Sequence, residues 1–202
     1  LPPEQFMYSM LTRSQRISHE NLRMRDAGWL EGFERWFDDR AGVPVHPALP
    51  PVPPMFTPYH VRSVTLKNRV VVSPMAQYSA VDGVVGDFHL VHLGARALGG
   101  AAMVVAEMTC PSADARITPG CAGLYKPEHV TAFRRIADFI HTHSDAKFGI
   151  QLGHAGPKAS TRVAWEGADQ PLPSGDLPPI SASQQQYLEG VSDTAHAMTR
   201  AE

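Results

Sequence analysis

Three short apolar runs separated by helical patterns most constrain how this chain can fold. The runs begin near Arg69, Ala101 and Lys147, and between them apolar residues recur at helical spacing. Strands that alternate with helices in this way form a parallel sheet or an α/β barrel. The sequence therefore predicts an α/β fold in which the loops after the strands carry the function.

The loops after the first and third runs give the clearest functional signal. Residues 67–78 read KNRVVVSPMAQY, in which a β-branched run stops at a Ser-Pro pair and small and amide side chains follow. Residues 148–158 read FGIQLGHAGPK, which places Gln151 at the end of a strand, just before a glycine-rich turn. Both loops are suited to contact a flat ligand.

These two motifs, together with VVAEMTCPSADARITPGCAGLY at residues 104–125, resemble those of the old yellow enzyme family, especially its thermophilic-like branch. The resemblance runs from Met55 to the end of the chain. It implies an α/β fold, a partial TIM (β/α)8 barrel made of the first three βα units. It also implies FMN as cofactor, NADH or NADPH as reductant, and an unsaturated, carbonyl-conjugated small molecule as hydride acceptor.

The resemblance also implies roles for individual residues. The positions that match the family's FMN contacts are Ser73, Pro74, Met75, Ala76, Met108 and Gln151. The positions that match its substrate pocket are Tyr78 and Lys158. No catalytic residue is implied within this chain, because the family's histidine pair and its flavin-phosphate loops are expected after Glu202. His89 and His92 lie three apart but lack a third ligand, so no metal site is predicted.

Three positions depart from the family pattern, and one of them is Met108, which stands where relatives carry a small residue. Ala76 stands where relatives carry Cys or Thr, whose side chain bonds the flavin and tunes its potential. Pro157 stands where an arginine is expected before Lys158. Other interpretations stay open for the matched positions: Gln151 could be a buried amide that bonds loop backbone, and Tyr78 could pack beneath a loop.

The first part of the chain has a different pattern. Residues 4–24 predict one helix, and Asp26 is predicted to cap a second helix with four aromatic residues on one face. These are Trp29, Phe33, Trp36 and Phe37. The face is expected to pack against a partner surface. A proline-rich stretch at residues 42–58 then predicts a semi-rigid linker.

The helical segment resembles the last helices of an FAD monooxygenase domain. We therefore predict three parts: residues 1–41 as C-terminal helices of such a domain, 42–58 as the linker, and 59–202 as the N-terminal part of the barrel. Joined in this order, they resemble bifunctional aromatic acyl-CoA hydroxylases of the salicylyl-CoA or 2-aminobenzoyl-CoA type. This arrangement implies FAD in the upstream domain and an aromatic acyl-CoA as substrate.

Composition narrows the classes of partner. The net charge is −2 and the Lys and Arg residues are scattered, so the sequence has no basic patch that would bind nucleic acid or an anionic membrane. Two cysteines, without the spacing of a zinc site, favour a reduced, cytoplasmic setting. A homo-oligomer is possible. The chain does not begin with Met, and we expect a piece of a longer polypeptide that aggregates and holds no FMN when expressed alone.

Three other functions fit the same residues. The chain could belong to a stand-alone ene-reductase with a helical extension, or to a barrel that binds flavin in a purely structural role. A lyase-type barrel that uses Lys158 as a Schiff base is a further alternative. Bleaching of the flavin by a reduced nicotinamide would separate the reductase from the structural barrel.

Local patterns predict the remaining elements. A hairpin is expected at residues 61–69, strands at 101–108 and 147–152, a long loop at 153–183, and a helix start at 198–202. Asp87 is predicted to cap a helix that buries Phe88, Val91, Ala95 and Leu98. A second helix, starting at Pro127, is predicted to bury Val130, Phe133, Ala137 and Ile140.

Overall fold

The computed structural model describes residues 2–13, 18–44, 46, 48–173 and 178–200. The α-helices in these ranges are α1 (Pro3–Thr12), α2 (Ser18–Arg25), α3 (Ala27–Ala41), α4 (Asp87–Leu98), α5 (Pro127–His143) and α6 (Ala164–Gly167). The strands are β1 (Tyr59–Val61), β2 (Val64–Leu66), β3 (Val71–Val72), β4 (Met103–Cys110), β5 (Ala122–Gly123), β6 (Lys147–Leu152), β7 (Ile180–Ser181), β8 (Gln185–Gln186) and β9 (Thr194–Ala197).

The central sheet is parallel, which confirms the predicted alternation of strands and helices. Strand β4 lies in the middle, with β3 on one side and β6 on the other, and β5 pairs with its last two residues. The bounds of β6 are as predicted, whereas β4 lies two residues later than the predicted 101–108. Strand β5 was not predicted, because two small residues carry no strand pattern.

The hydrophobic core lies between this sheet and helices α4 and α5. Val104 and Ala106 on β4 pack against Phe133, Ile136 and Ile140 of α5, and all five are buried. The opposite face of the sheet is open, since Val71 of β3 is 45% exposed. The sheet thus has one face covered by helices and one face free, as in one sector of a barrel.

The predicted buried face of α4 is wrong. Phe88, Val91, Ala95 and Leu98 are all exposed, whereas His89, Leu93, Gly94 and Ala97 are buried. The reason is packing between the two helices: a Cβ on Gly94 would lie 2.8 Å from Cε1 of Phe139 on α5. Contact at this small residue places Leu93 and Ala97 on the buried face of α4 together with Gly94, so Phe88, Val91 and Leu98 point outward.

Other details of α4 and α5 also differ from prediction. Asp87 is the first residue of α4 rather than its cap, and its carboxylate instead accepts a hydrogen bond from Arg135 at 2.6 Å. In α5, Phe133 and Ile140 are buried as predicted, but the other buried positions are His129 and Ile136. Val130 is exposed and Ala137 is half-buried.

The predicted hairpin forms, but it spans residues 59–66 rather than 61–69. Strands β1 and β2 form the antiparallel hairpin, with Arg62 in the left-handed region at its turn. The predicted loop at 153–183 contains helix α6 and leads into a small sheet with strand order β7-β9-β8. Residues 198–200 form no helix, and the rest of that predicted helix start lies outside the described residues.

The predicted single helix at residues 4–24 is wrong. Helix α1 ends at Thr12, and Arg13 adopts the left-handed conformation with a φ of 53°. The Arg13 guanidinium is held by Glu34 of α3, with Nε 2.6 Å from Oε1, and donates to the carbonyl of Pro51 at 2.7 Å. These long-range contacts hold Arg13 at the end of α1. Residues 14–17 of the predicted helix lie outside the described residues.

Helix α3 begins as predicted, since the Asp26 carboxylate accepts from the Trp29 N–H at 2.9 Å. Its buried positions are Leu30, Glu34 and Asp38 rather than the aromatic ones. Trp29 stacks on Phe33 with ring centroids 5.6 Å apart and remains 48% exposed. The predicted partner surface for the aromatic face stays a prediction.

The proline-rich stretch is packed against the helices before it. Pro51 and Pro54 are buried, and the Val52 N–H donates to the Asp38 carboxylate at 3.2 Å. The segment is therefore held in place over at least part of its length. The division at residues 41 and 58 stays a prediction. Among the described helices, none is both long and apolar enough to cross a membrane.

Candidate functional site

The carboxyl ends of β3, β4 and β6 bring the predicted FMN-contacting residues to one edge of the sheet. The parallel register pairs Val72 with Val104 and Met108 with Gln151. Residues 73–78 continue from β3 alongside the end of β4. In α/β folds of this kind, ligands bind beyond the carboxyl ends of the strands.

The register also decides which side chains face the open side of the sheet. Val104 and Ala106 point into the core. Along β4, Ala106 pairs with Ile150 of β6, and the next pair is Met108 with Gln151, so the pairing skips Glu107. Glu107 is therefore an extra residue on β4, a β-bulge. The bulge lets Met108 and Gln151 share the open face.

Glycine allows a close approach at this edge. A Cβ on Gly153 would lie 2.6 Å from Cγ of Met108, so only glycine lets the methionine side chain lie across the end of β6. Met108 is half-buried there. A methionine side chain is flexible and polarizable, so it can adapt to a flat ring.

Gln151 presents a free amide. The side chain is exposed, and it makes no hydrogen bond to any residue that the structure describes. It is therefore not a buried amide that bonds loop backbone. A glutamine amide offers two donors and an acceptor, which is the set needed to pair with the polar edge of a flavin ring.

The loop after β3 is partly exposed to solvent, and hydrogen bonds hold its last residues in place. Ser73 and Met75 are exposed, whereas Pro74 and Ala76 are half-buried. The side chain of Gln77 turns back and donates to the Met75 carbonyl at 2.8 Å. The loop thus presents small side chains and main-chain groups to the open face.

A buried carboxylate, which sequence reasoning missed, holds the end of this loop. The Gln77 N–H donates to Oε2 of Glu107, and Oε1 of Glu107 lies 3.0 Å from Nε2 of His89 on α4. The side chains of Glu107 and His89 are almost fully buried. A charged residue inside the apolar run of β4 was the available signal.

Tyr78 has an unusual backbone conformation. Its φ is 50°, and its carbonyl lies so close to Gly120 that a Cβ there would clash with it. The ring packs against Cys110 and Cys121, and burial raises the pKa of its phenol. Tyr78 therefore stays protonated and can donate a hydrogen bond at neutral pH.

Tyr78 and Lys158 line one cavity of about 220 Å³, which brings the two predicted substrate residues together. The Lys158 ammonium lies 2.8 Å from Oδ1 of Asp169 and 3.2 Å from the hydroxyl of Tyr187. The hydrogen bond to Asp169 raises the pKa of Lys158. Because Schiff-base chemistry needs a neutral amine, this pairing disfavours the lyase alternative.

The cavity contains a second cation. Arg162 lines it, and its Nε donates to the carbonyl of Pro171 at 3.1 Å. Pro157, which replaces the expected arginine, lies in the short 3-10 helix Gly156–Lys158. The pocket thus offers Lys158 and Arg162 as cations, with one carboxylate from Asp169.

Two thiols lie behind Tyr78. Cys110 and Cys121 are buried in one cluster, and Cys121 Sγ accepts from the Thr118 N–H at 3.4 Å. The Cys110 S–H has two acceptors in reach, the Ala115 carbonyl at 3.3 Å and the Cys121 sulfur. Donation to Cys121 lowers the pKa of that thiol and raises the pKa of Cys110.

A parallel sheet with helices on one face and open polar loops beyond its strand ends defines an α/β protein with a ligand site at the carboxyl edge. Residues 54–202 match the NADH:flavin oxidoreductase / NADH oxidase family. The chain therefore belongs to this family. The resemblance to old yellow enzymes is confirmed at this level, whereas the bifunctional arrangement with an FAD domain is not shown.

One curated protein is similar in sequence to this chain, and one solved structure is similar in fold. An NADPH dehydrogenase of Bacillus cytotoxicus is 38% identical over 151 residues, which cover 73% of this chain and 42% of the relative. An old yellow enzyme homologue from Zymomonas mobilis has a TM-score of 0.58 at 20% identity, covering 73% of this chain and 40% of that one. The chain thus spans well under half of either protein.

A further solved structure with a similar fold is that of a 2-naphthoyl-CoA reductase in complex with 2-naphthoyl-CoA. It has a TM-score of 0.58 at 22% identity and covers 72% of this chain and 22% of that one. At this identity the likeness shows the fold. Together with the Zymomonas mobilis structure, it supports the prediction of a partial barrel.

Proposed function

We propose that this chain carries part of the FMN and substrate sites of an NAD(P)H-dependent flavin oxidoreductase. The enzyme would pass a hydride from a reduced nicotinamide, through FMN, to an unsaturated acceptor conjugated to a carbonyl group. One observation carries the proposal. The free amide of Gln151 lies beside Met108 on the open edge of the sheet, in a chain that belongs to a flavin oxidoreductase family.

The residues at this edge fit FMN. When bound, FMN accepts a hydride from the nicotinamide and delivers it to the acceptor. Gln151 would orient the ring by pairing with its polar edge, and Met108 would cover part of the ring and exclude water. The loop with Ser73, Pro74, Met75 and Ala76 would approach the ring through its main chain, since Ala76 has no side-chain donor.

The substrate would enter the cavity that Tyr78 and Lys158 line. The phenol of Tyr78, whose pKa is raised by burial, would donate a hydrogen bond to the carbonyl of the acceptor. Lys158 would attract negative charge on the substrate. Because Asp169 pairs with the ammonium, this attraction would be weaker than that of an unpaired lysine. The name of the Bacillus cytotoxicus relative indicates NADPH as the reductant, whereas the name of the family indicates NADH.

The test of this function is the flavin content and substrate range of the purified full-length protein. We expect FMN, released by denaturation, at about one per chain, and consumption of NADPH with a cyclic enone. A protein that holds no FMN, or that consumes neither NADPH nor NADH with any enone, would contradict the proposal.

A second candidate is the bifunctional enzyme that acts on an aromatic acyl-CoA. It is favoured by the helices that precede the family match at residue 54, where α3 presents Trp29 and Trp36 to solvent. In this candidate, residues 1–41 are the C-terminal helices of an FAD monooxygenase domain. The stand-alone reductase is better supported by the similar proteins, since the named relative is an NADPH dehydrogenase.

The two candidates differ in their flavins. A bifunctional enzyme would release FAD and FMN in equal amounts, and an aromatic acyl-CoA would stimulate its NADPH oxidation and oxygen uptake. A stand-alone reductase would release FMN alone and would take up no additional oxygen with the acyl-CoA.

A further inference from the structure

Three hydrogen bonds connect the start of α4 to the proposed flavin loop through the interior. The Gly86 N–H donates to Nδ1 of His89 at 3.2 Å, and Nε2 of His89 lies 3.0 Å from Oε1 of Glu107. The Gln77 N–H donates to Oε2 of the same carboxylate. His89 and Glu107 are 2% and 4% exposed, so water cannot replace these contacts without opening the core.

The backbone N–H groups of Gly86 and Gln77 stand at the two ends of this chain of hydrogen bonds. They determine which atoms between them donate and which accept. Because Nδ1 of His89 accepts from the Gly86 N–H, the single proton of the neutral ring lies on Nε2 and is donated to Glu107. A second ring proton would face the Gly86 N–H directly. Glu107 therefore accepts a hydrogen bond on each oxygen, while His89 accepts at Nδ1 and donates at Nε2.

The bulge explains how the carboxylate reaches the loop. Glu107 is the extra residue between the paired positions Ala106 and Met108 of β4. Without the bulge, alternation along the strand would place a side chain after Ala106 on the open face. The bulge instead keeps Glu107 buried and aimed at Gln77, while Met108 takes the open-face position.

A second buried histidine gives a comparison within the same fold. His129 is the third residue of α5, as His89 is the third residue of α4, and its Nδ1 accepts from the Tyr125 N–H at 3.2 Å. Its Nε2 lies 2.9 Å from the carbonyl oxygen of Asp82 instead of a carboxylate. Both histidines thus stabilise the start of a helix, but only His89 is connected to the loop.

We propose that Glu107 is a positioning residue for the flavin site, and that His89 holds its carboxylate in place. The carboxylate fixes the main chain at Gln77 and thereby sets where residues 73–76 lie. The inference rests on the proposed function, because it assumes that these residues contact FMN. Its first part, the control of the loop by Glu107, can be tested without FMN.

The first measurement is amide hydrogen exchange of residues 73–80 in the full-length protein after FMN has been removed. Glu107→Gln keeps the shape of the side chain but replaces one oxygen with an NH2 group. This NH2 group must face either the Gln77 N–H or the His89 Nε2–H, and one of the two hydrogen bonds is lost. We expect faster exchange in this segment by about tenfold, the loss expected for one buried hydrogen bond. His129→Gln, the matched control, should leave the segment unchanged.

Two further variants keep the test decisive if Glu107→Gln does not fold. A glutamine amide nitrogen can take the place of Nε2, and an asparagine amide can take the place of Nδ1. His89→Gln therefore preserves the contact to Glu107 and should leave the loop near its normal exchange rate. His89→Asn preserves the contact to Gly86, loses the contact to Glu107, and should speed exchange in residues 73–80.

The second measurement is FMN affinity after reconstitution of each variant. We expect Glu107→Gln and His89→Asn to bind FMN about tenfold more weakly, and His89→Gln and His129→Gln to bind it normally. Unchanged exchange and affinity in Glu107→Gln would overturn the inference, as would an equal loss in His129→Gln. A wild-type protein that binds no FMN would overturn the proposed function itself, and is recognised before any variant is made.

Discussion

Met108 and Gln151 face each other across two neighbouring parallel strands, directly after the bulge at Glu107. The bulge shifts the alternation of β4 so that both side chains lie on the face that none of the described helices covers. On the other face, Val104 and Ala106 pack into the core. One extra residue in β4 therefore separates the structural part of the strand from the part that can contact a ligand.

Removing the amide of Gln151 should weaken FMN binding. Two hydrogen bonds to the ring edge at about 1 kcal/mol each correspond to a loss of about thirtyfold in affinity. Gln151→Ala can be measured by fluorescence titration of the apoprotein with FMN. Gln185→Ala, an exposed glutamine in β8, is the matched control and should bind FMN normally. Unchanged affinity in Gln151→Ala would remove this residue from the site.

A hydroxyl at position 76 should raise the reduction potential of bound FMN. Ala76 is half-buried in the loop and has no side-chain donor, whereas a threonine there could donate to the electron-rich reduced ring. Ala76→Thr should therefore shift the potential upward in a dye-linked redox titration. Ala76→Val has the same branched shape without the hydroxyl and should not. A shift of equal size in both variants would show that shape, rather than the donor, acts on the flavin.

Lys158 and Asp169 should affect charged acceptors in opposite directions. Since the ammonium pairs with the Asp169 carboxylate at 2.8 Å, only part of its charge is available to a substrate. Lys158→Ala should raise KM for a carboxylate-bearing enone by about tenfold, the value of one charge-assisted hydrogen bond. Asp169→Asn should lower this KM, and neither change should affect a neutral enone.

The control for this pair is Lys147→Ala, at the opposite end of β6 from the site. It removes the same charge from the protein without touching the cavity and should leave both KM values unchanged. An equal rise in KM for neutral and charged enones in Lys158→Ala would show that the lysine supports the pocket wall rather than the substrate.

The Cys110 thiol should control the ionisation of Cys121. Its S–H lowers the pKa of Cys121, with the Thr118 N–H contributing in the same direction and burial opposing both. Cys110→Ala removes the donor, so the pKa of Cys121 should rise. Cys110→Ser restores a donor and should keep the pKa low. Thiolate absorbance against pH measures both, and an identical titration in the two variants would contradict this assignment.

The strands and the carboxyl-edge loops could be predicted from sequence because they depend on local patterns. The β-branched run before Ser73 and the alternation before Gln151 are each complete within a few residues. The family motifs cover the same stretches. The positions of Met108 and Gln151 at one edge then follow from the parallel pairing of their strands.

The features that were missed depend on contacts between distant residues. The face that α4 buries is decided by the fit of Phe139 against Gly94, which no periodicity within α4 contains. The end of α1 is accompanied by contacts of Arg13 to Glu34 and Pro51. Glu107 reaches the loop because β4 carries a bulge. This bulge can be recognised only from the pairing of β4 with β6.

The central claim is that the carboxyl edge of this sheet helps to hold an FMN that a reduced nicotinamide can reduce. Anaerobic titration of the full-length protein with NADPH, followed by the visible absorbance of its flavin, tests it most directly. We predict complete bleaching with about one equivalent of NADPH per FMN, and reappearance of the colour when an enone is added. Bound FMN that NADPH leaves oxidised would support the purely structural barrel, and a colourless protein that cannot be reconstituted with FMN would contradict the account altogether.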